Sequence, residues 1–269
     1  MNWVSSYKFK LILILIRIDN ILAKFCYFCF WNAKVSYVSK DAYPKHQRFT
    51  KKQKLPNFLT NLFFNYLKKH MTPVINQHLA RDPQLAAILP TLTLPILETS
   101  NDIYFALLEA VVSQQLSVKA ADTIFKRFLN LFENQNPMPE RILNQSIETL
   151  RGCGLSGQKA GYLQNIATFW LRPDVQERDW LSINNELIIK ELTMIKGVGV
   201  WTVEMILMFK LGRLDVFPIA DLVIQQRMIR LYGLESKGKL LKKELTDIAA
   251  VWQPYRSVAC RYLWQWKDK

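Results

Sequence analysis

The sequence predicts an all-α fold, and three observations carry that expectation. Beyond residue 100 no stretch alternates between apolar and polar residues with period two, as a half-buried strand does. Apolar residues recur instead at spacings of three and four, the period that gathers them on one side of a helix. The breaks between these segments carry helix punctuation, with polar caps before and glycine or proline after. At 269 residues, 50% of them hydrophobic, the chain is long enough to bury one or two substantial cores.

The first 70 residues depart from this pattern. They hold 13 Lys/Arg against 2 acidic residues, and from 24 to 70 they contain no glycine and no clear period. Leu11 to Ile16 is apolar, but Arg17 and Asp19 interrupt it well short of the roughly 20 residues a membrane span needs. No small-residue cleavage site follows closely enough to complete a secretory signal. Met71-Thr72-Pro73-Val74 then opens an orderly region. The expectation is that Met71 is the native start and that residues 1–70 are a poorly structured or non-native basic extension; a basic tethering tail is the alternative.

In chain order, a short helical signal lies between His78 and Leu97 around Leu79, Leu85, Ala86 and Ile88, closed by Pro90 and Pro95. Ser100-Asn101-Asp102 reads as a helix start, continued on one face by Ile103, Ala106, Leu107, Ala110, Val111 and Gln114. After Ser117, the residues Ala121, Ile124, Phe125, Phe128, Leu129 and Phe132 define an amphipathic helix. Ile142 to Leu150 is another short helix candidate, ended by Gly152-Cys153-Gly154. Ala160, Leu163, Ile166, Ala167 and Trp170 mark the next, and Leu187 to Leu192 the one after. A helix near the end carries Leu241, Leu245, Ile248, Ala249 and Trp252. Pro254 suits the first turn of a last helix running through Val258, Ala259 and Leu263 to Trp266.

The stretch from 192 to 211 organises the rest. Its helical run breaks at Gly197-Val198-Gly199 and resumes at once with Val203, Ile206 and Leu207 on one face, so two helices meet in a tight hairpin whose glycines permit positive φ. Small residues there let a phosphate approach the backbone. The amides that open the second helix are unpaired donors at the positive end of its dipole, which makes the hairpin an anion clamp. Twenty residues past Trp201 stands Asp221, after the proline-bearing loop Asp215-Val216-Phe217-Pro218 and at the start of another apolar-patterned segment. Clamp and carboxylate are expected on neighbouring helix ends.

The formal net charge of +14 is unevenly placed. Residues 71–269 hold 23 basic against 20 acidic residues, about +3, so any polyanion must be bound there through a local patch and oriented amides. Four cysteines, Cys26, Cys29, Cys153 and Cys260, are too few for a disulfide framework and fit a reducing compartment. Cys26-x-x-Cys29 has neither a second pair nor a histidine at metal spacing, and reads as a plain pair of thiols.

Five pieces in order resemble the helix-hairpin-helix DNA glycosylase superfamily, and most closely its 3-methyladenine DNA glycosylase II branch. They are Glu109-Ala110-Val111-Val112-Ser113-Gln114-Gln115-Leu116-Ser117; Gly154-Leu155-Ser156 with Lys159 and Tyr162-Leu163; Gly197-Val198-Gly199-Val200-Trp201-Thr202; Asp215 through Pro218 leading to Asp221; and Trp252-Gln253-Pro254-Tyr255-Arg256-Ser257. The resemblance spans roughly residues 101–266. It implies two helical subdomains flanking a cleft for double-stranded DNA, in a compact form, since the β domain of some relatives cannot be fitted into residues 71–100.

What the resemblance implies for single residues follows from the reaction. A base inside a duplex must be flipped out, its gap filled by a wedge, and the bent backbone held. Gly197, Val198, Gly199, Val200 and Thr202 match the clamp, and Gln115 or Leu116 the wedge. A monovalent cation, Na+ or K+, often joins the clamp; the matching carbonyls are those of Thr193, Ile195 and Val198. Asp221 matches the catalytic aspartate, whose carboxylate stabilises oxocarbenium-like charge on the sugar. Its position also suits a helix cap, and the two roles are compatible. Trp201 stands where relatives that also cleave the strand carry a Schiff-base lysine, which points to the branch that only hydrolyses the base off. Trp201 and Tyr255 match the aromatic wall of the alkylpurine pocket, where a cationic base gains about 0.5–2 kcal/mol by cation–π contact.

Tyr162, Trp252 and Trp264 are assigned to the core, Asp215 to shaping its loop, and Arg256 and Arg227 either to phosphate contact or to internal bridging. Some relatives bind an iron-sulfur cluster near the C-terminus through four cysteines; only Cys260 lies there, so no cluster and no required cofactor are expected. A monomer acting in the cytoplasm on a bacterial nucleoid, or in a eukaryotic nucleus, with no membrane association, completes the expectation. Two other readings stay open: a helix-hairpin-helix binding module without catalysis, and a glycosylase for uracil, mismatched or oxidised bases.

Overall fold

The computed structural model describes residues 72–95, 97 and 99–267. The start at Met71, the extension over 1–70 and Cys26-x-x-Cys29 lie outside them. Among the described residues all regular structure is helical, as the apolar spacing requires.

Side-chain caps set most of the boundaries. After helical turns over 72–79, Asp82 caps α1 (Pro83–Ile88), accepting the Leu85 amide at 3.1 Å. Asp102 caps α2 (Ile103–Ser113) through the Phe105 amide, and Ser117 caps α3 (Val118–Leu129) through Ala120. The expected single helix over Ile142–Leu150 is two, α4 (Pro139–Leu143) and α5 (Ile147–Gly152). Ser146 is the reason: its hydroxyl accepts the Thr149 amide, so a helix starts where the apolar spacing suggested continuation.

The chain goes on through α6 (Gly157–Trp170), the single turn α7 (Pro173–Gln176) and α8 (Asn185–Leu192) into the hairpin. The second hairpin helix is α9 (Val200–Met205), which widens into a π-helical turn over Ile206–Lys210. Asp221 caps α10 (Leu222–Tyr232), and Gly233, at φ 62°, ends it in the left-handed conformation. Then come α11 (Gly238–Ala250) and α12 (Arg256–Gln265). The last helix therefore begins two residues after Pro254. Trp252 lies past the end of α11, fully buried in the turn between the two helices.

The core is continuous, and two helical groups share it. In one, α2 packs along α3 and α6, and α6 also covers α4 and α5. In the other, α10 packs on α12 and α1. The hairpin helices join them, with α9 against α8 and its π turn against α2. Asp82 ties the second group: its Oδ2 accepts from the Trp252 indole at 2.8 Å and from the Tyr232 hydroxyl at 2.5 Å. Burial beside that carboxylate pushes the Tyr232 phenol far above its usual pKa.

Candidate active site

Gly197 sits at φ 105°, and a Cβ there would stand 2.2 Å from Cγ of Tyr162. The hairpin thus needs glycine twice over, for backbone conformation and because the Tyr162 ring lies against it. Tyr162, assigned to the core, turns out to be the platform under the clamp. Gly199 is the extended N-cap of α9 and has no side chain to occupy the amides that follow. By helix geometry the N–H groups of Val200, Trp201 and Thr202 have no intrahelical partner. Gly199, Val200 and Trp201 are exposed while Val198 and Thr202 are buried, so the tip of the hairpin is open to solvent and its flanks are seated in the core. Two amides from outside brace it: Asn165 Nδ2 donates to the Lys196 carbonyl at 3.1 Å and Gln114 Nε2 to that of Gly197 at 3.3 Å.

Gln114 also begins the loop expected to supply the wedge. Gln115 adopts φ 57°, a left-handed conformation unusual for a residue with a side chain, and Gln115 and Leu116 are both exposed. Below them Lys159 donates Nζ to the carbonyls of Val112 at 2.8 Å and Gln114 at 2.6 Å, closing the last turn of α2. Burial holds this lysine below its usual pKa. Wedge loop and clamp are therefore one hydrogen-bonded assembly.

Asp221 is 7% exposed. Its Oδ1 accepts the Ile224 amide at 2.9 Å and the Trp264 indole N–H at 3.2 Å, and its Oδ2 accepts the Trp201 indole N–H at 2.8 Å. All three are neutral donors. They fix the carboxylate, and among the described residues no cation pairs with it to cancel its charge. Trp201 is itself 46% exposed, so the carboxylate lies behind an indole that faces solvent. One turn further along α9, Glu204 is buried with Oε2 unpartnered. Burial, and then repulsion from Asp221, raise its carboxyl to about 7. Cys260, wholly buried nearby, is pushed well above the ordinary thiol range by burial and by Asp221.

The structure thus brings Trp201 to Asp221 and adds Trp264, which the sequence reading left in the core. The signal for it was available: Trp264 falls one turn after Cys260 on the last helix, with a polar N–H that burial obliges to find an acceptor. Tyr255 has a different neighbour, its ring meeting His78 edge-on at 5.2 Å. Arg256 forms an internal bridge, its Nε and Nη2 at 2.6 and 3.0 Å from the two carboxylate oxygens of Asp215, which is the second of the two alternatives for that residue. Arg227 is half-buried. Of the carbonyls expected to hold a cation, that of Ile195 accepts the Val198 amide at 3.0 Å, and Thr193 is the C-cap of α8, at the negative end of its dipole. No group of three His, Cys, Asp or Glu among the described residues could hold a metal ion, and no helix there is long and apolar enough to cross a membrane.

Comparison with known proteins agrees with this arrangement. Residues 108–254 match the family model of the HhH-GPD superfamily base excision DNA repair protein. The chain is 42% identical over 169 residues to DNA-3-methyladenine glycosylase 1 of Schizosaccharomyces pombe, covering 60% of this chain and 71% of that protein. Among solved structures it is similar to S. pombe 3-methyladenine DNA glycosylase in complex with abasic DNA, with TM-score 0.58 and 33% identity over 71% of this chain and 95% of that one. A DNA-3-methyladenine glycosidase from Bacillus halodurans gives TM-score 0.60 and 34% identity over 70% and 86%. A helical fold built around this hairpin, with a carboxylate capping the helix beyond it, and a family match across more than half of the sequence lead to one conclusion: the chain belongs to the HhH-GPD superfamily of base excision DNA repair proteins.

Proposed function

We propose that this protein is a monofunctional DNA glycosylase that flips alkylated purines of the 3-methyladenine type out of duplex DNA and hydrolyses their N-glycosidic bond, the opening step of base excision repair. The observation that carries the reading is the Asp221 carboxylate, held by Trp201, Trp264 and the Ile224 amide within reach of the hairpin clamp. The names of the relatives support the substrate class.

In this reading the open amides of α9 hold a backbone phosphate beside the lesion, and Gln115 or Leu116 occupies the gap in the stack. As the bond between C1′ and the base nitrogen breaks, its electron pair leaves with the base and positive charge develops on the deoxyribose. Asp221 stabilises that charge and orients a water, whose oxygen bonds to C1′ while its proton is given up to solvent or to the carboxylate. An alkylated purine starts cationic and departs neutral, so it needs little help from an acid. Indole nitrogen cannot form a Schiff base, and with Trp201 at the lysine position the product is an intact abasic strand. Backbone carbonyls of Thr193, Ile195 and Val198 would hold Na+ or K+ against the same phosphate, since neutral oxygen ligands at a helix C-terminus suit such an ion. The partner is double-stranded DNA, bound by a monomer.

The test is base release from methylated duplex DNA by wild type and Asp221→Asn, with abasic sites and strand breaks scored separately. Expected are release by wild type, a loss of about a hundredfold or more in the variant, and no strand cleavage before alkali. The burial of Asp221 is the one observation favouring a binding module instead; binding without base release, unchanged by the substitution, gives that reading.

A further inference from the structure

The structure holds a cavity of about 200 Å³ between the C-terminal half of α2 and the second hairpin helix. Its walls are mostly apolar, with Ala106 and Ala110 on one side and Met205 and Phe209 on the other. Met205 stands one turn beyond Trp201 on the same face of α9. Phe209 meets Trp264 at 5.5 Å, and Trp264 donates to Asp221. One ring contact, Phe209 on Trp264, and one hydrogen bond, Trp264 to Asp221, therefore link the cavity wall to the site. Its only charged lining residues are Glu109 and Lys210, whose Oε2 and Nζ are 2.8 Å apart, with side chains 41% and 37% exposed.

Mostly apolar walls offer few hydrogen bonds by which to choose among bases. The ion pair can choose. Alkylation at N3 or N7 leaves the nucleotide cationic, and Glu109 lowers the energy of that cation in the cavity while Lys210 raises it. Intact, the pair nearly cancels; with one member removed, the other acts alone, partly screened because its side chain is more than a third exposed. We propose that the Glu109–Lys210 pair sets how readily the cavity admits a cationic base, Glu109 as the attracting member and Lys210 as the opposing one. The inference rests on the glycosylase reading above and assigns the specificity of that same site.

Base entry from the stack precedes bond cleavage, so a change in admission carries through to the rate of release. That rate is measured in single turnover on methylated duplex DNA, at enzyme concentrations that saturate binding. Three accounts differ in outcome. On the proposal, Glu109→Gln slows release of methylpurines and Lys210→Met accelerates it, each by about three- to tenfold. If the bridge is merely structural, either variant breaks it and both slow release. If the charges act on the duplex at long range, Glu109→Gln binds DNA better and Lys210→Met worse, a change in Kd that leaves release at saturating enzyme unshifted, and unshifted release overturns the proposal. The double variant E109K/K210E restores the bridge and returns the rate to within about threefold of wild type. Opposite shifts in the predicted order support the proposal; equal or reversed shifts overturn it. A wild type that releases no methylpurine at all defeats the functional reading itself, which is a different result from release with the wrong signs.

Discussion

Glu204 shows how much a single residue of this site depends on its surroundings. Its carboxyl is buried with one oxygen unpartnered, and it titrates near 7 in the folded chain against an ordinary value of 4.5. A group whose pKa rises on folding stabilises the fold fully below its unfolded value and loses that contribution as pH climbs through the folded one. Wild type is thus expected to lose stability between about pH 4.5 and pH 7, on the order of 3 kcal/mol. Glu204→Gln removes this slope. In thermal melts at pH 5 and pH 8 the variant should show a smaller drop than wild type and be the more stable protein at pH 8; parallel slopes would refute the assignment.

At the scale of the element, the loop after α2 and the hairpin after α8 are coupled through Lys159 and Gln114. Lys159 satisfies two carbonyls at the end of α2, and Gln114 reaches from that end to the Gly197 carbonyl. Removing the lysine leaves two half-buried acceptors without their donor, a cost of about 1–3 kcal/mol. Lys159→Met keeps the apolar stem and loses only the ammonium. It is expected to lower stability by that amount and to slow base flipping, read with 2-aminopurine beside the lesion, while DNA affinity changes little because the clamp amides are untouched. Unchanged flipping kinetics would mean that the loop is set by Gln115 and Ser117 alone. The same coupling explains why Gln115 keeps a left-handed conformation: it is fixed from both sides, by the carbonyls Lys159 holds and by the Ser117 cap that starts α3.

For the whole molecule, the decisive contacts join residues far apart in sequence. Asp82 accepts from Tyr232 and Trp252, 150 and 170 residues away, and caps α1 as well. Nothing near Asp82 in the sequence marks it as more than a helix cap, because its other donors come from the far end of the chain. Asp82→Ala leaves a buried indole N–H and a half-buried hydroxyl unpaired, so a loss of about 3 kcal/mol is expected in denaturant unfolding. A loss under 1 kcal/mol would reduce Asp82 to its cap. Arg256 and Asp215 make a comparable link beneath the loop leading to Asp221, with Ser257 Oγ accepting the Val216 amide beside it at 2.9 Å. The loop that delivers the carboxylate is thereby pinned to the last helix.

Local chemistry was legible in the sequence. Apolar spacing gave the helices, caps at Asp102 and Asp221 marked two of their starts, and Gly197 and Gly199 located the hairpin turn, because each depends on residues within one or two turns. The split at Ser146 was missed where a cap interrupts a spacing that continues across it. Only the tertiary structure decided which aromatics serve the site and which the core. Trp252, Trp264, Tyr162 and Tyr255 are alike as aromatic rings packed in or against the core, and they differ by the partner each meets across the fold: Asp82, Asp221, Gly197 and His78. The same holds for Glu109 and Lys210, separated by 101 residues and brought to 2.8 Å by the packing of α2 on the π turn. A charge's meaning is set by what faces it, and no periodicity along the chain encodes a partner a hundred residues away.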